Sequence, residues 1–127
     1  MFILYSTDDD RQLPTEYLPC GAIQPKYGMA MYMTSGKLAV ASAGNAAEYI
    51  CLRQEDAAVT AGTIIPVAKI QKEQIWSTEA AASGLAVGAV CDVASGGLTV
   101  AATASGGAAN FVLTAVDGTD VRGRFVK

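Results

Sequence analysis

Two stretches decide how this chain is read: SGKLAVA, residues 35–41, and SGGLTVA, residues 95–101. They are near copies, and the likeness runs outward from both. Upstream, GMAMYMT (28–34) aligns without a gap on GAVCDVA (88–94); downstream, after a small insertion, AAEYIC (46–51) matches AANFVL (108–113). A short chain that repeats itself in this way is built from a repeated supersecondary unit.

In both copies Ser-Gly separates two runs of period-two character, which predicts a tight β-hairpin with glycine supplying the positive φ. Met31 and Met33 then correspond to Cys91 and Val93, and Leu38 and Val40 to Leu98 and Val100, as the buried face. Tyr32 and Asp92 point the other way, because side chains alternate across a strand. A third strand follows in each copy, Glu48–Arg53 and Asn110–Val116, to give a three-stranded meander. Two meanders predict an all-β domain, a small barrel or sandwich over 28–127, with the pseudo-repeat at 28–67 and 88–126.

The segments outside the repeat are less regular. In TAGTIIPVAKIQKEQIWST (60–78), Pro66 interrupts an apolar run and is expected at a strand edge, strand end or bulge. Alternation from Ile70 to Trp76 favours a strand followed by a loop over a helix across 72–82. Val121–Lys127 reads as a terminal strand with Arg122 and Arg124 on one face. Residues 1–27 carry Pro14, Pro19, Pro25 and a DDDR cluster among spaced tyrosines, and are expected to form an extended arm.

Composition narrows the chemistry. The chain has 127 residues, a formal charge of −3 and no histidine. There is no basic field for a phosphate backbone, so nucleic acid is not an expected partner. Without histidine, Ser-His-Asp, Cys-His and zinc-histidine sites are excluded. Cys20, Cys51 and Cys91 lie far apart and odd in number, as expected of reduced core residues. Asp8, Asp9 and Asp10 are consecutive, without the spaced ligands of a calcium loop, and read as a solvated or salt-bridging turn. GMAMYM resembles the attachment hairpin of biotin carrier domains, but Tyr32 stands where the acceptor lysine would be. The opening MFILYSTDDD has neither the basic start of a secretion signal nor the length of a membrane span, so the expectation is a chain made and folded in the cytoplasm. No cofactor or metal is expected.

The register "VG…V.V.SGGL.VA….G" at Val87–Gly106, the preceding "Y…R…A..G..I.V" at Tyr49–Val67 and the arm-like start together resemble the head decoration, or capsid cement, proteins of tailed bacteriophages and prophages. The likeness covers Gly28–Lys127. It implies a small β-barrel or β-tulip on the exterior of the virion capsid, a non-enzymatic protein that stabilises the shell by bridging major capsid protein subunits, often as a homotrimer. Under that resemblance the shell-facing contacts fall to the arm, through Tyr5, Asp8, Asp9, Asp10, Arg11 and Tyr17, by strand addition or salt bridging. Trp76 is open between a subunit interface and the core. Two other classes stand beside it: a tail, baseplate or surface-adhesion module that binds a glycan or protein, and, with least support in the residue inventory, a small esterase-like or carrier enzyme.

Overall fold

The structure, a computed structural model, describes residues 1–7, 15–72, 74–103 and 110–126. Its geometry starts at the first Ser-Gly. Ser35 and Gly36 both have positive φ, 50° and 77°, the pair of values that a two-residue hairpin turn requires to match strand twist. That turn joins β3 (Ala30–Thr34) to β4 (Lys37–Val40), with Met31 opposite Val40 and Met33 opposite Leu38.

The second Ser-Gly does not make the same turn. Here β8 (Val90–Val93) pairs with β9 (Val100–Ala102) so that Val93 faces Val100 and Cys91 faces Ala102. Leu38 is therefore matched by Val100, and Leu98 stays in a longer loop. The loop has a task of its own: the carbonyl of Gly97 accepts the amide of Ala30 at 2.7 Å. A Cβ on Gly97 would sit 2.9 Å from the Ala30 oxygen and 2.9 Å from Val40 Cγ1. The extra glycine of "SGG" is what lets this loop reach the other hairpin.

Around the hairpins lie β1 (Ile3–Thr7), β2 (Thr15–Pro19), β5 (Tyr49–Cys51), β6 (Ile64–Lys69), β7 (Gln74–Glu79), β10 (Phe111–Asp117) and β11 (Asp120–Phe125). The protein is all-β, in two antiparallel sheets ordered β1-β7-β11-β10-β8-β9 and β2-β6-β5-β3-β4. With β1 set aside, both sheets have the same order, first strand, fifth, fourth, second, third. The registers agree as well. Met31 faces Tyr49 as Cys91 faces Phe111, Cys51 faces Val67 as Leu113 faces Gly123, and Tyr17 faces Pro66 as Ser77 faces Arg122. Neither sheet closes into a barrel; in the five-stranded sheet the residue after edge strand β2 meets edge strand β4 through one parallel bridge, Cys20 with Leu38, and in the six-stranded sheet the residue after β7 meets edge strand β9 in the same way, Ala80 with Val100.

Three expectations change. Residues 1–27 do not stand off as an arm over their described part: Ile3–Thr7 is a strand against β7, Thr15–Pro19 is a strand against β6, and Phe2 is buried. The proline at the end of β2 is tolerated because that strand lies at a sheet edge. Pro66 lies within β6, which has neighbours on both sides, but its carbonyl meets the amide of Leu52 one residue past the end of β5. The missing proline N–H thus falls where that ladder has stopped. The central strand starts at Gln74 rather than Ile70 and runs to Glu79.

The larger core joins the sheets. Phe2, Trp76, Phe111 and Phe125 pack together, with centroid separations of 4.9 Å for Phe111–Phe125 and 5.2 Å for Phe2–Phe125. Ala30, Ile50 and Ala68 of the other sheet belong to the same cluster. The opposite face of the five-stranded sheet carries a second cluster, with Cys20, Met31, Leu38, Cys51, Ile65 and Val67, overlaid by Ile23, Val59 and Leu98. Burial on both faces explains why its strands read as apolar runs. Buried Asn110 ties the halves together: its Nδ2 donates to the Asn45 carbonyl at 2.7 Å, and its Oδ1 accepts the Ala47 amide at 3.0 Å.

Candidate functional site

The exposed chemistry is concentrated on the outer side of the first and last strands of each half. On the five-stranded sheet, Tyr17 lies directly opposite Pro66 and Pro19 opposite Ile64, so the four share one face. Tyr17 is 70% exposed and Ile64 52%. An aromatic, a branched aliphatic and two prolines side by side make an apolar surface free of charge.

The equivalent positions on the other sheet hold opposite chemistry. Ser77 stands for Tyr17, Glu79 for Pro19, Asp120 for Ile64 and Arg122 for Pro66. There a shallow groove of about 320 Å³ is lined by Ser77, Asp117, Asp120 and Arg122 with Ala115, Val116 and Val121. The Arg122 guanidinium lies 4.0 Å from the centroid of the Tyr5 ring on the neighbouring β1, a cation–π contact. One strand arrangement therefore presents an apolar face in one half and a charged groove in the other.

The sequence-predicted contact residues divide accordingly. Tyr17 belongs to the apolar face. Tyr5 is exposed beside the charged groove on the other sheet, so the two tyrosines are not brought together. Trp76 is 1% exposed: its ring packs near Phe125 and its indole N–H donates to Gln74 Oε1 at 3.2 Å, which leaves it no surface for a partner in this conformation. Asp8, Asp9, Asp10 and Arg11 lie outside the described residues. Ile64 and Pro19 were missed as surface residues, although the proline within TIIPVAK was a signal that this strand is unusual.

Little else is reactive. Cys20, Cys51 and Cys91 are free and buried, and burial pushes each thiol above its ordinary value of 9.0. They are held as thiols at neutral pH and make poor nucleophiles. The Cys51 thiol also donates to the Arg53 carbonyl at 3.2 Å. Among the described residues no group of three or more Cys, Asp or Glu side chains is placed to hold a metal ion, and no helix is long and apolar enough to cross a membrane. No protein-family model matches the chain, and no curated protein matches it.

Proposed function

We propose that this is a non-enzymatic structural protein that binds the outer surface of a phage capsid and stabilises the shell by bridging major capsid protein subunits. The observation that carries the reading is the uncharged Tyr17–Pro19–Ile64–Pro66 face, exposed at Tyr17 and Ile64 and half-buried at the two prolines, on a chain whose residues 28–127 resemble head decoration proteins. An apolar face with polar surroundings is the kind of surface that makes a protein contact. Repetition over a symmetric shell multiplies modest contacts into firm attachment, so no elaborate site is needed.

In this reading the chain is made in the host cytoplasm and acts on the virion exterior. The two halves are copies of one duplicated hairpin-meander unit, and the protein associates with itself as a homotrimer at threefold positions. A tail, baseplate or surface-adhesion role is the second reading, favoured by the exposed rings of Tyr5, Tyr17 and Tyr27, since tyrosine is common at recognition surfaces.

Co-sedimentation with heads assembled from the major capsid protein of the same source tests the first reading. Saturable binding by the intact chain, lost in Tyr17→Asp and Ile64→Asp variants of unchanged thermal stability, is the expected result. Failure of the intact chain to bind any head, with binding to a glycan array or to tail proteins instead, would favour the second.

A further inference from the structure

The two halves differ in one strand. On the six-stranded sheet, β1 covers the outer edge of β7, with Ile3 opposite Ser77 and Leu4 opposite Trp76. The equivalent edge in the other half belongs to β2, because Tyr17 stands where Ser77 stands; β4 meets that edge only past its end, through the Cys20–Leu38 bridge and the Gly21 amide's hydrogen bond to the Leu38 carbonyl at 3.0 Å, and among the described residues no strand covers it over Thr15–Tyr17. The backbone there can be assigned. The Cys20 amide donates to the Thr63 carbonyl at 2.9 Å and the Gly62 amide to the Cys20 carbonyl at 2.7 Å. Alternation along an antiparallel strand then turns Glu16, Leu18 and Cys20 toward β6, and Thr15, Tyr17 and Pro19 outward. The open edge offers the N–H and C=O of Thr15 and Tyr17; from Pro19 onward the same edge turns to Leu38 of β4. Proline, with no N–H, marks where a paired strand would stop.

We infer that the outer edge of β2 is a strand-acceptor site for an extended, uncharged segment of another protein, paired antiparallel, with an apolar side chain laid beside Tyr17 over Ile64 and Pro66. The internal counterpart shows what such an edge takes: β1, Ile-Leu-Tyr-Ser-Thr, has no charged residue and places Ile3 opposite the Tyr17-equivalent position. The apolar face beside β2 replaces the charged one beside β7, so the donor side chain opposite Tyr17 is apolar. A second copy of this chain is a poor donor of its own β1. Releasing that strand would withdraw Phe2, 1% exposed against the rings of Phe111 and Phe125, and break the hydrogen bond that its amide donates to the Gly28 carbonyl at 2.8 Å. Strand addition draws affinity from main-chain pairing and specificity from alternate side chains. The inference stands apart from the capsid reading, since any protein can supply the strand.

The test is an NMR titration of the intact ¹⁵N-labelled chain with a capped peptide of the sequence FILYST, carrying terminal lysines for solubility. Saturable shifts and slowed amide exchange at Thr15 and Tyr17 are expected. Tyr17→Pro removes an outward N–H while leaving the amides that face β6, and weakens binding about tenfold or more. Ile64→Asp, at an exposed position, weakens it as well and serves where the proline variant misfolds. Absence of saturable shifts up to about 1 mM peptide, shifts confined to the β1 or β9 edge, or undiminished binding by folded Tyr17→Pro and Ile64→Asp would overturn the site. Concentration-dependent protection of the Tyr17 amide in the chain alone would overturn the assignment to another protein and make a second copy the occupant.

Discussion

Replacing Phe2 by alanine separates an amino-terminal arm from an integral strand. The ring is 1% exposed, 5.7 Å from Phe111 and 5.2 Å from Phe125 between centroids. Truncating a buried phenylalanine costs about 3–5 kcal/mol through lost transfer energy and the cavity left behind. A chain of 127 residues has a total stability of about 6–19 kcal/mol at typical values per residue, so a large share is at stake. Its unfolding entropy is about 0.27 kcal/mol/K, which converts the loss to a fall in Tm of about 11–19 °C. Thermal and urea unfolding followed by circular dichroism and by the fluorescence of Trp76, the single tryptophan, would read the change. Tyr17→Ala is the control: at 70% exposure it should stay within about 0.5 kcal/mol of the parent. A fall in Tm below about 3 °C for Phe2→Ala would refute the packing argument and return the first residues to the status of an arm.

Other outcomes follow from single contacts. Gly97→Ala should cost about 2–5 kcal/mol, from the left-handed backbone and from crowding against Ala30 and Val40. Gly96→Ala, with positive φ but open space around it, should cost about 1–2 kcal/mol by urea titration. Asn110→Ala leaves the Ala47 amide and the Asn45 carbonyl without their partner, and should cost about 2–4 kcal/mol while speeding hydrogen exchange at Ala47. Because burial raises the three thiols above 9.0, their contribution to stability is fully present below pH 9 and is lost as pH rises through the higher folded values. Burial also lowers the Met1 amine below its ordinary value of 8.0, which favours the folded state increasingly as pH rises toward 8, so urea midpoints should not fall from pH 7 to pH 8 and should fall above pH 9. Serine at all three cysteine positions should reduce that fall, leaving the share of Tyr49, which burial raises above 10.0, and native thiols should react with a disulfide reagent no faster than the chain opens.

Local patterns in the chain announced much of this architecture. Period-two alternation around Ser35-Gly36 specified β3 and β4, since a two-residue turn and a buried face leave one register open to them. The kinship of Met31 with Cys91 and of Tyr49 with Phe111 was also legible, because aligned apolar positions fall on equivalent strand pairs. Leu98 was harder. Its neighbours match those of Leu38, but the loop before β9 is longer and is held by a bond from Ala30 to Gly97 that no local pattern encodes. Of the surface, Tyr17 was nameable as an exposed aromatic, whereas its company with Ile64 and Pro66 depends on a pairing between strands far apart in the chain.

By itself, then, the sequence determined an all-β chain poor in reactive groups, because alternation, glycine turns and the lack of histidine are local or compositional facts. The tertiary structure alone decided the fate of the first residues. Phe2 becomes core only where Phe111 and Phe125 converge on it, and Pro19 reads as irregularity until β2 is seen to be an edge. It also decided that equivalent positions of two similar halves, Tyr17 with Pro66 and Ser77 with Arg122, present apolar and charged surfaces. Contacts of long sequence separation made both choices, and a side chain's neighbours across a sheet are set by register rather than by its place in the chain.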